Sequence, residues 1–176
     1  HRVAIVGAGA SGLSAAAYLA AKGFLVTVYE QAATIGPALI GSRGLTEEDA
    51  ERDVAPFSEL VEWKLSTRVG KDIAWDELLA VFDAVLATGE RPEHILGDPD
   101  TLTLRAADSK LFVAGRKLLH NPSFASSLCS GKRAAISMER LAKGISLTAM
   151  RVNEDAYETG LITPTDGVEP ASAVPE

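Results

Sequence analysis

Gly7-Ala8-Gly9-Ala10-Ser11-Gly12 follows the apolar run Val3-Ala4-Ile5-Val6 and opens a helical stretch from Leu13 to Lys22. A second apolar run, Phe24 to Tyr29, closes on Glu30. This order predicts a strand, a glycine turn, a helix and a second strand parallel to the first, ending in a carboxylate. It constrains the chain to a βαβ unit whose turn is shaped to receive a pyrophosphate. Gly7 permits the tight turn. Gly9 has no Cβ, so the backbone can approach a phosphate closely. Gly12 lets helix and strand pack together. The phosphates then meet the helix N-terminus, where unpaired N–H groups and the helix dipole favour negative charge. Glu30 stands 23 residues after Gly7, with Gln31 beside it. Its carboxylate is placed to accept hydrogen bonds from an adenosine ribose diol and repels a 2′-phosphate, which disfavours NADP at this site. FAD and NAD share the same adenosine diphosphate half, and the turn does not separate them.

Two later segments add to the pattern. Phe82-Asp83-Ala84-Val85-Leu86-Ala87-Thr88-Gly89 reads as a buried parallel strand ending in Ala-Thr-Gly. Leu111-Phe112-Val113-Ala114-Gly115 reads as another strand, followed by a loop and a long helix. Asn121 is the expected N-cap of that helix and Pro122 its first residue, with Lys143 in the last turn and Gly144 just after.

With these segments in place, the chain resembles the FAD domain of the two-dinucleotide-domain flavoproteins. It is most similar to the small (beta) subunit of NADPH-dependent glutamate synthase and its relatives in anaerobic redox complexes. The residues that carry the likeness are Val3–Gly12, Glu30, Lys64–Ile73, Phe82–Gly89 and Leu111–Leu141, with Ser130-Gly131-Lys132-Arg133-Ala134-Ala135 especially close. The resemblance implies one Rossmann-like, doubly wound α/β domain with a mainly parallel sheet over residues 1–150. It implies FAD as cofactor, with NAD the alternative. Val69 backbone would meet the adenine. Gly7, Gly9, Ala10, Ser11, Gly12, Ala87, Thr88 and Gly89 would line the pyrophosphate side. Gly115, Arg116, Phe124 and Ala125 would face the ribityl and flavin. The implied function is a FAD-binding oxidoreductase or electron-transfer module of a larger redox assembly, working with a redox partner protein. A non-catalytic dinucleotide-binding or assembly module, or a piece of a larger NAD(P)H-dependent flavoenzyme, is the alternative. No catalytic residue is singled out and no metal site is expected.

The sequence departs from that family in three places. A whole NADPH-binding domain usually follows the Ala-Thr-Gly strand, but only residues 90–110 separate Gly89 from Leu111. A βαβ unit takes about 30 residues or more, so this stretch is expected to hold a loop and at most one strand. The family's terminal strand usually ends Gly-Asp. Here Arg116 follows Gly115, offering donors suited to a pyrophosphate in place of an acceptor for ribityl hydroxyls. The usual Gly-Gly pair after the ribose acid reads Gly36-Pro37.

Composition bounds the remaining classes. The 176 residues are 47% hydrophobic, enough for one sizeable core. No apolar run approaches membrane-spanning length. The net charge of −7 argues against nucleic-acid and anionic-membrane partners. A cytoplasmic location is expected, and a homo-oligomer is compatible. The chain starts at His1-Arg2 without Met and reads as a trimmed chain or a piece of a longer protein. Cys129 is the single cysteine, which excludes an internal disulfide, and it reads as a small core residue. Thr46-Glu47-Glu48-Asp49 reads as a helix start, and Pro56 as the end or restart of that helix. Leu65 to Val69 reads as the third strand, Asp72 as the cap of a short helix Trp75 to Val81, and Trp63 and Trp75 as packing residues. His94 reads as solvated. His120 is a solvated loop residue or a donor to a flavin oxygen. Residues 151–176, with Pro164, Pro170 and Pro175, read as an extended tail.

Overall fold

Four short, mainly apolar segments and the alternating Val61–Lys64 pair as parallel strands, the central ones buried as expected for a sheet covered on both faces. The computed structural model describes residues 1–36, 46–92, 98–107, 109–115 and 123–151. The strands are β1 (Arg2–Val6), β2 (Leu25–Tyr29), β3 (Val61–Lys64), β4 (Ala84–Ala87) and β5 (Leu111–Val113). Their order in the sheet is β3-β2-β1-β4-β5, and every named pair is parallel. The chain therefore runs outward from β1 in one direction, then returns to run outward in the other. The reversal lies between β1 and β4, and their carboxyl ends open a crevice there.

Alternate residues of each strand feed two cores. One face joins Val3, Ile5, Val26, Val28, Leu86 and Phe112 to helices α1 (Ala10–Ala21), α2 (Glu47–Ser58) and α4 (Phe124–Ala142). The other joins Ala4, Tyr29, Val85, Ala87, Leu111 and Val113 to helix α3 (Trp75–Val81) through Trp75 and Leu78. This is the doubly wound α/β arrangement the sequence predicts.

α4 lies directly on α1, and small residues make that possible. A Cβ on Gly131 would strike the backbone of Ser11, with the Ser11 Cα 2.8 Å away. Ser11 Oγ donates to the Ser127 carbonyl at 2.9 Å, and Ser14 Oγ to the Leu128 carbonyl at 2.9 Å. Farther along, the Tyr18 hydroxyl donates to Glu139 at 2.7 Å. Burial first, then that bonded carboxylate, pushes the Tyr18 pKa up to about 12, so the phenol stays neutral and the bond persists across physiological pH.

Several boundaries differ from the sequence reading. The third strand is Val61–Lys64, not Leu65–Val69: Ser66 sits at φ 52° and turns the chain before those residues can pair. Pro56 lies inside α2, which runs on to Ser58, because a proline in the last turn removes just one late hydrogen bond. α3 has no side-chain cap; Asp72 instead accepts from the Arg68 N–H at 2.8 Å. α4 begins at Phe124 with Ser123 as N-cap, and the expected cap Asn121 and first residue Pro122 lie outside the described residues. Ser123 Oγ accepts from the Ser126 N–H at 3.0 Å while Ser126 Oγ accepts from the Ser123 N–H at 2.8 Å, a reciprocal pair that fixes the start. Cys129 is exposed, not in the core, because the buried face of α4 passes through Ser127, Ser130, Gly131 and Ala134. Arg151, the first residue of the expected tail, is buried and donates to Ser137 Oγ at 2.7 Å and the Leu147 carbonyl at 3.1 Å, so it belongs to the packed domain.

The stretch 98–107 is a compact closure. Asp100 accepts from Thr103 N–H at 2.6 Å and Thr103 Oγ at 2.7 Å. The chain then pairs antiparallel to β5, with Val113 N–H donating to the Leu104 carbonyl and Ala106 N–H to the Leu111 carbonyl, both at 2.9 Å. Arg133 of α4 holds the turn by donating to the Thr101 carbonyl at 2.6 Å. The outer edge of β5 is thereby covered, which removes a row of unpaired backbone groups.

Candidate functional site

The glycine turn is built by the residues around it. Gly7 stands at φ 102°, a conformation L side chains rarely adopt, and a Cβ there would strike Thr88 Oγ1. Its N–H donates to the Tyr29 carbonyl at 2.8 Å, and Thr88 Oγ1 donates to the Val6 carbonyl at 2.9 Å. A Cβ on Gly12 would strike the Gly7 carbonyl. Gly9 is different. It is the N-cap of α1 at φ −79°, ψ −175°, and a Cβ there would meet nothing within 4 Å. The fold gives no reason for its glycine. Among the described residues the space above it is open, at the start of a 12-residue helix with Ala10 and Ser11 in its first turn.

Glu30 is buried at the end of β2, 7% exposed. One carboxylate oxygen accepts from the Ala8 N–H at 2.7 Å and the other from the Ala32 N–H at 2.9 Å. The acid thus braces the glycine turn while each oxygen keeps lone-pair capacity for a further donor. A cleft of about 150 Å³ opens beside it, lined by Gly7, Tyr29, Glu30, Gln31, Val69 and Thr88 among others. That volume is below the ~300 Å³ of a typical whole-ligand pocket. It suits one end of a dinucleotide, with the remainder lying across the open turn. Burial, then the Glu62 carboxylate, raises the pKa of Tyr29, so its phenol stays neutral.

The other candidate residues fall along one line at the carboxyl ends of the strands. Val69 is buried and anchored by an isolated bridge to Ile73. Ala87 ends β4, with Thr88 and Gly89 following. Gly115, at φ 104°, follows β5; its N–H donates to Ser130 Oγ at 3.2 Å, and a Cβ would come within 2.7 Å of the Thr88 carbonyl. Phe124 and Ala125 form the first turn of α4. The Ser11 hydroxyl points into α4, which leaves its backbone N–H to serve the turn. Arg116, Pro37, His94, His120, Asn121 and Pro122 lie outside the described residues. Sequence reasoning missed Thr67, Arg68, Trp75 and Glu90, which also line the cleft. The available signals were the placement of Arg68 beside Val69 and of a charged residue directly after Ala-Thr-Gly.

A glycine turn, a buried acid and a β1/β4 crevice together define a fold type. Residues 5–43 match the family model of the NAD(P)-binding Rossmann-like domain. The chain has a Rossmann-like α/β fold, and the matched stretch holds its glycine turn and Glu30. Among its relatives, the NADP(+)-dependent formate dehydrogenase subunit beta of Moorella thermoacetica is 41% identical over 101 residues, 54% of this chain and 14% of that protein. The NADPH-Fe(3+) oxidoreductase subunit beta of Geobacter sulfurreducens is 38% identical over 103 residues, 54% of this chain and 15% of that protein. The glutamate synthase [NADPH] small chain of Escherichia coli is 38% identical over 88 residues, 48% of this chain and 19% of that protein. The aligned stretch thus spans between a seventh and a fifth of each of these relatives. Among solved structures, THI4 of Thermovibrio ammonificans shares the fold at TM-score 0.53 and 17% identity, covering 81% of this chain and 89% of that one. Among the described residues, no group of His, Cys, Asp or Glu could hold a metal ion, and no helix is long and apolar enough to cross a membrane.

Proposed function

We propose that this domain binds FAD across the carboxyl ends of its strands and serves as the flavin module of a redox assembly. The observation that carries the reading is the space above Gly9, which the described residues leave open at a helix start beside the buried Glu30. The adenosine half lies in the cleft, its ribose diol donating to Glu30 and its adenine edge against Val69 backbone. The pyrophosphate meets the N–H groups of Ala10, Ser11 and Gly12, flanked by Ala87, Thr88 and Gly89. The ribityl chain and flavin extend past Gly115 toward Phe124 and Ala125, at the N-terminal end of α4, whose helix dipole favours negative charge. Arg116 adds a donor on this side by its place in the sequence. FAD, when bound, supplies reversible electron transfer between a donor and an acceptor.

The relatives are oxidoreductase subunits by name, which supports both the flavin and a partner protein as electron source or sink. The partner is favoured over direct reduction by NADPH. The described part of the stretch that follows β4 closes the sheet edge through Asp100, Thr103 and Leu104 in place of a second nucleotide fold. Stopped-flow mixing of FAD-loaded protein with NADPH tests this. The flavin is expected to stay oxidised, while dithionite reduces it. Rapid bleaching by NADPH would overturn the assignment of the partner as donor.

A further inference from the structure

Two charged side chains reach across the mouth of the cleft. Arg68 Nη2 lies 3.1 Å and 3.3 Å from the two carboxylate oxygens of Glu90. Arg68 belongs to the loop after β3 that carries Val69, and Glu90 to the turn after β4 that carries Thr88 and Gly89. Both residues line the cleft. The pair therefore joins its two walls. We infer that the Arg68–Glu90 ion pair is a strap over the adenosine end of the cleft that opens and recloses each time a dinucleotide enters or leaves.

The backbone at both ends is fixed, so opening needs only side-chain rotation. The Arg68 N–H donates to Asp72 at 2.8 Å, and its carbonyl accepts from Asp72 N–H at 2.8 Å. Thr67 N–H is tied to the Glu30 carbonyl at 2.9 Å. On the other wall, Thr88 N–H donates to the Val6 carbonyl at 3.0 Å. The two charged side chains themselves are 51% and 62% exposed. An exposed pair of this kind favours its closed form by no more than about fivefold, which suits a contact that must break at every exchange. A buried pair would lock the site. The same exposure makes the strap sensitive to salt, since screening acts fully on charges in solvent.

This inference rests on the proposed adenosine pose, and the test separates the two. Stopped-flow association and dissociation rates are measured with FAD, followed by flavin fluorescence, and with ADP, followed by competition against a fluorescent adenosine nucleotide. The proteins are wild type, Glu90→Gln, Arg68→Gln and the double variant. Each single variant is expected to raise the association and dissociation rate constants together, each by about two- to fivefold. The double variant should add nothing further, because one pair is broken once. Added salt should speed exchange in the wild type and leave dissociation from the variants flat. Variants that exchange at wild-type rates would overturn the strap. So would a rise in dissociation alone, which marks an ordinary ligand contact. Strap kinetics with ADP but no binding of FAD would uphold the strap and overturn the flavin assignment. Failure of both ligands to bind would overturn both.

Discussion

Gly9→Ala is expected to fold like the wild type and to bind FAD about 10- to 100-fold more weakly. The backbone at Gly9 is ordinary extended chain, and a Cβ there touches no protein atom within 4 Å. Glycine is the better N-cap of the two, so stability should fall by about 1 kcal/mol, too little to unfold the domain. The methyl group would instead occupy the approach to the pyrophosphate. Pressing one extra carbon into a close contact costs about 1–3 kcal/mol, the source of the expected affinity loss. Gly12→Ala is the control with the opposite signature. Its Cβ would collide with the Gly7 carbonyl, so the turn itself must move, and stability should fall by about 3 kcal/mol. Thermal denaturation and calorimetric titration of both variants separate the effects. Unchanged FAD affinity in Gly9→Ala would make the turn purely structural.

Glu30→Gln is expected to damage both the fold and the site. The carboxylate accepts from Ala8 N–H and Ala32 N–H, one on each oxygen. Glutamine keeps one acceptor and turns an NH2 donor toward the other N–H. A charge-assisted bond is lost and a buried donor is left unpaired, at a cost of about 1–3 kcal/mol in stability. Binding should weaken by about tenfold or more, because the ribose hydroxyls lose an anionic acceptor. Discrimination against a 2′-phosphate should also relax, since the like-charge repulsion is gone. Competition by NAD and NADP against FAD reads that change. Selectivity identical to wild type would place the ribose away from Glu30.

The parts of this site that follow from local chemistry were legible in the sequence. A glycine turn between two apolar runs, and an acid at the end of the second, predict β1, α1, β2 and the position of Glu30. The Ala-Thr-Gly segment predicts β4. What was not legible came from long-range pairing. The second role of Glu30, holding the Ala8 N–H, joins the end of β2 to the glycine turn after β1 and has no local signal. Ser11 read as part of a phosphate turn, yet its hydroxyl serves α4, 116 residues away. Val61–Lys64 carries too few residues to declare a strand by itself, and Ser66 carries no sign of its positive φ. The sequence pattern puts the cap of α4 at Asn121 alone and passes over Ser123, whose reciprocal bonds with Ser126 cap the helix. Cys129 was misplaced because a lone cysteine on a helix takes its burial from the register of that helix, which Gly131 and Ser11 set.

The central claim is that an FAD molecule occupies the crevice between β1 and β4 with its adenosine end beside Glu30. Equilibrium titration of the protein with FAD, followed by flavin fluorescence and visible absorbance and repeated with ADP as competitor, tests it most directly. Saturable binding of one FAD per chain, with a perturbed flavin spectrum and displacement by ADP, is the predicted result. No saturable change with FAD, while NAD binds in the same assay and is displaced by ADP, would contradict it.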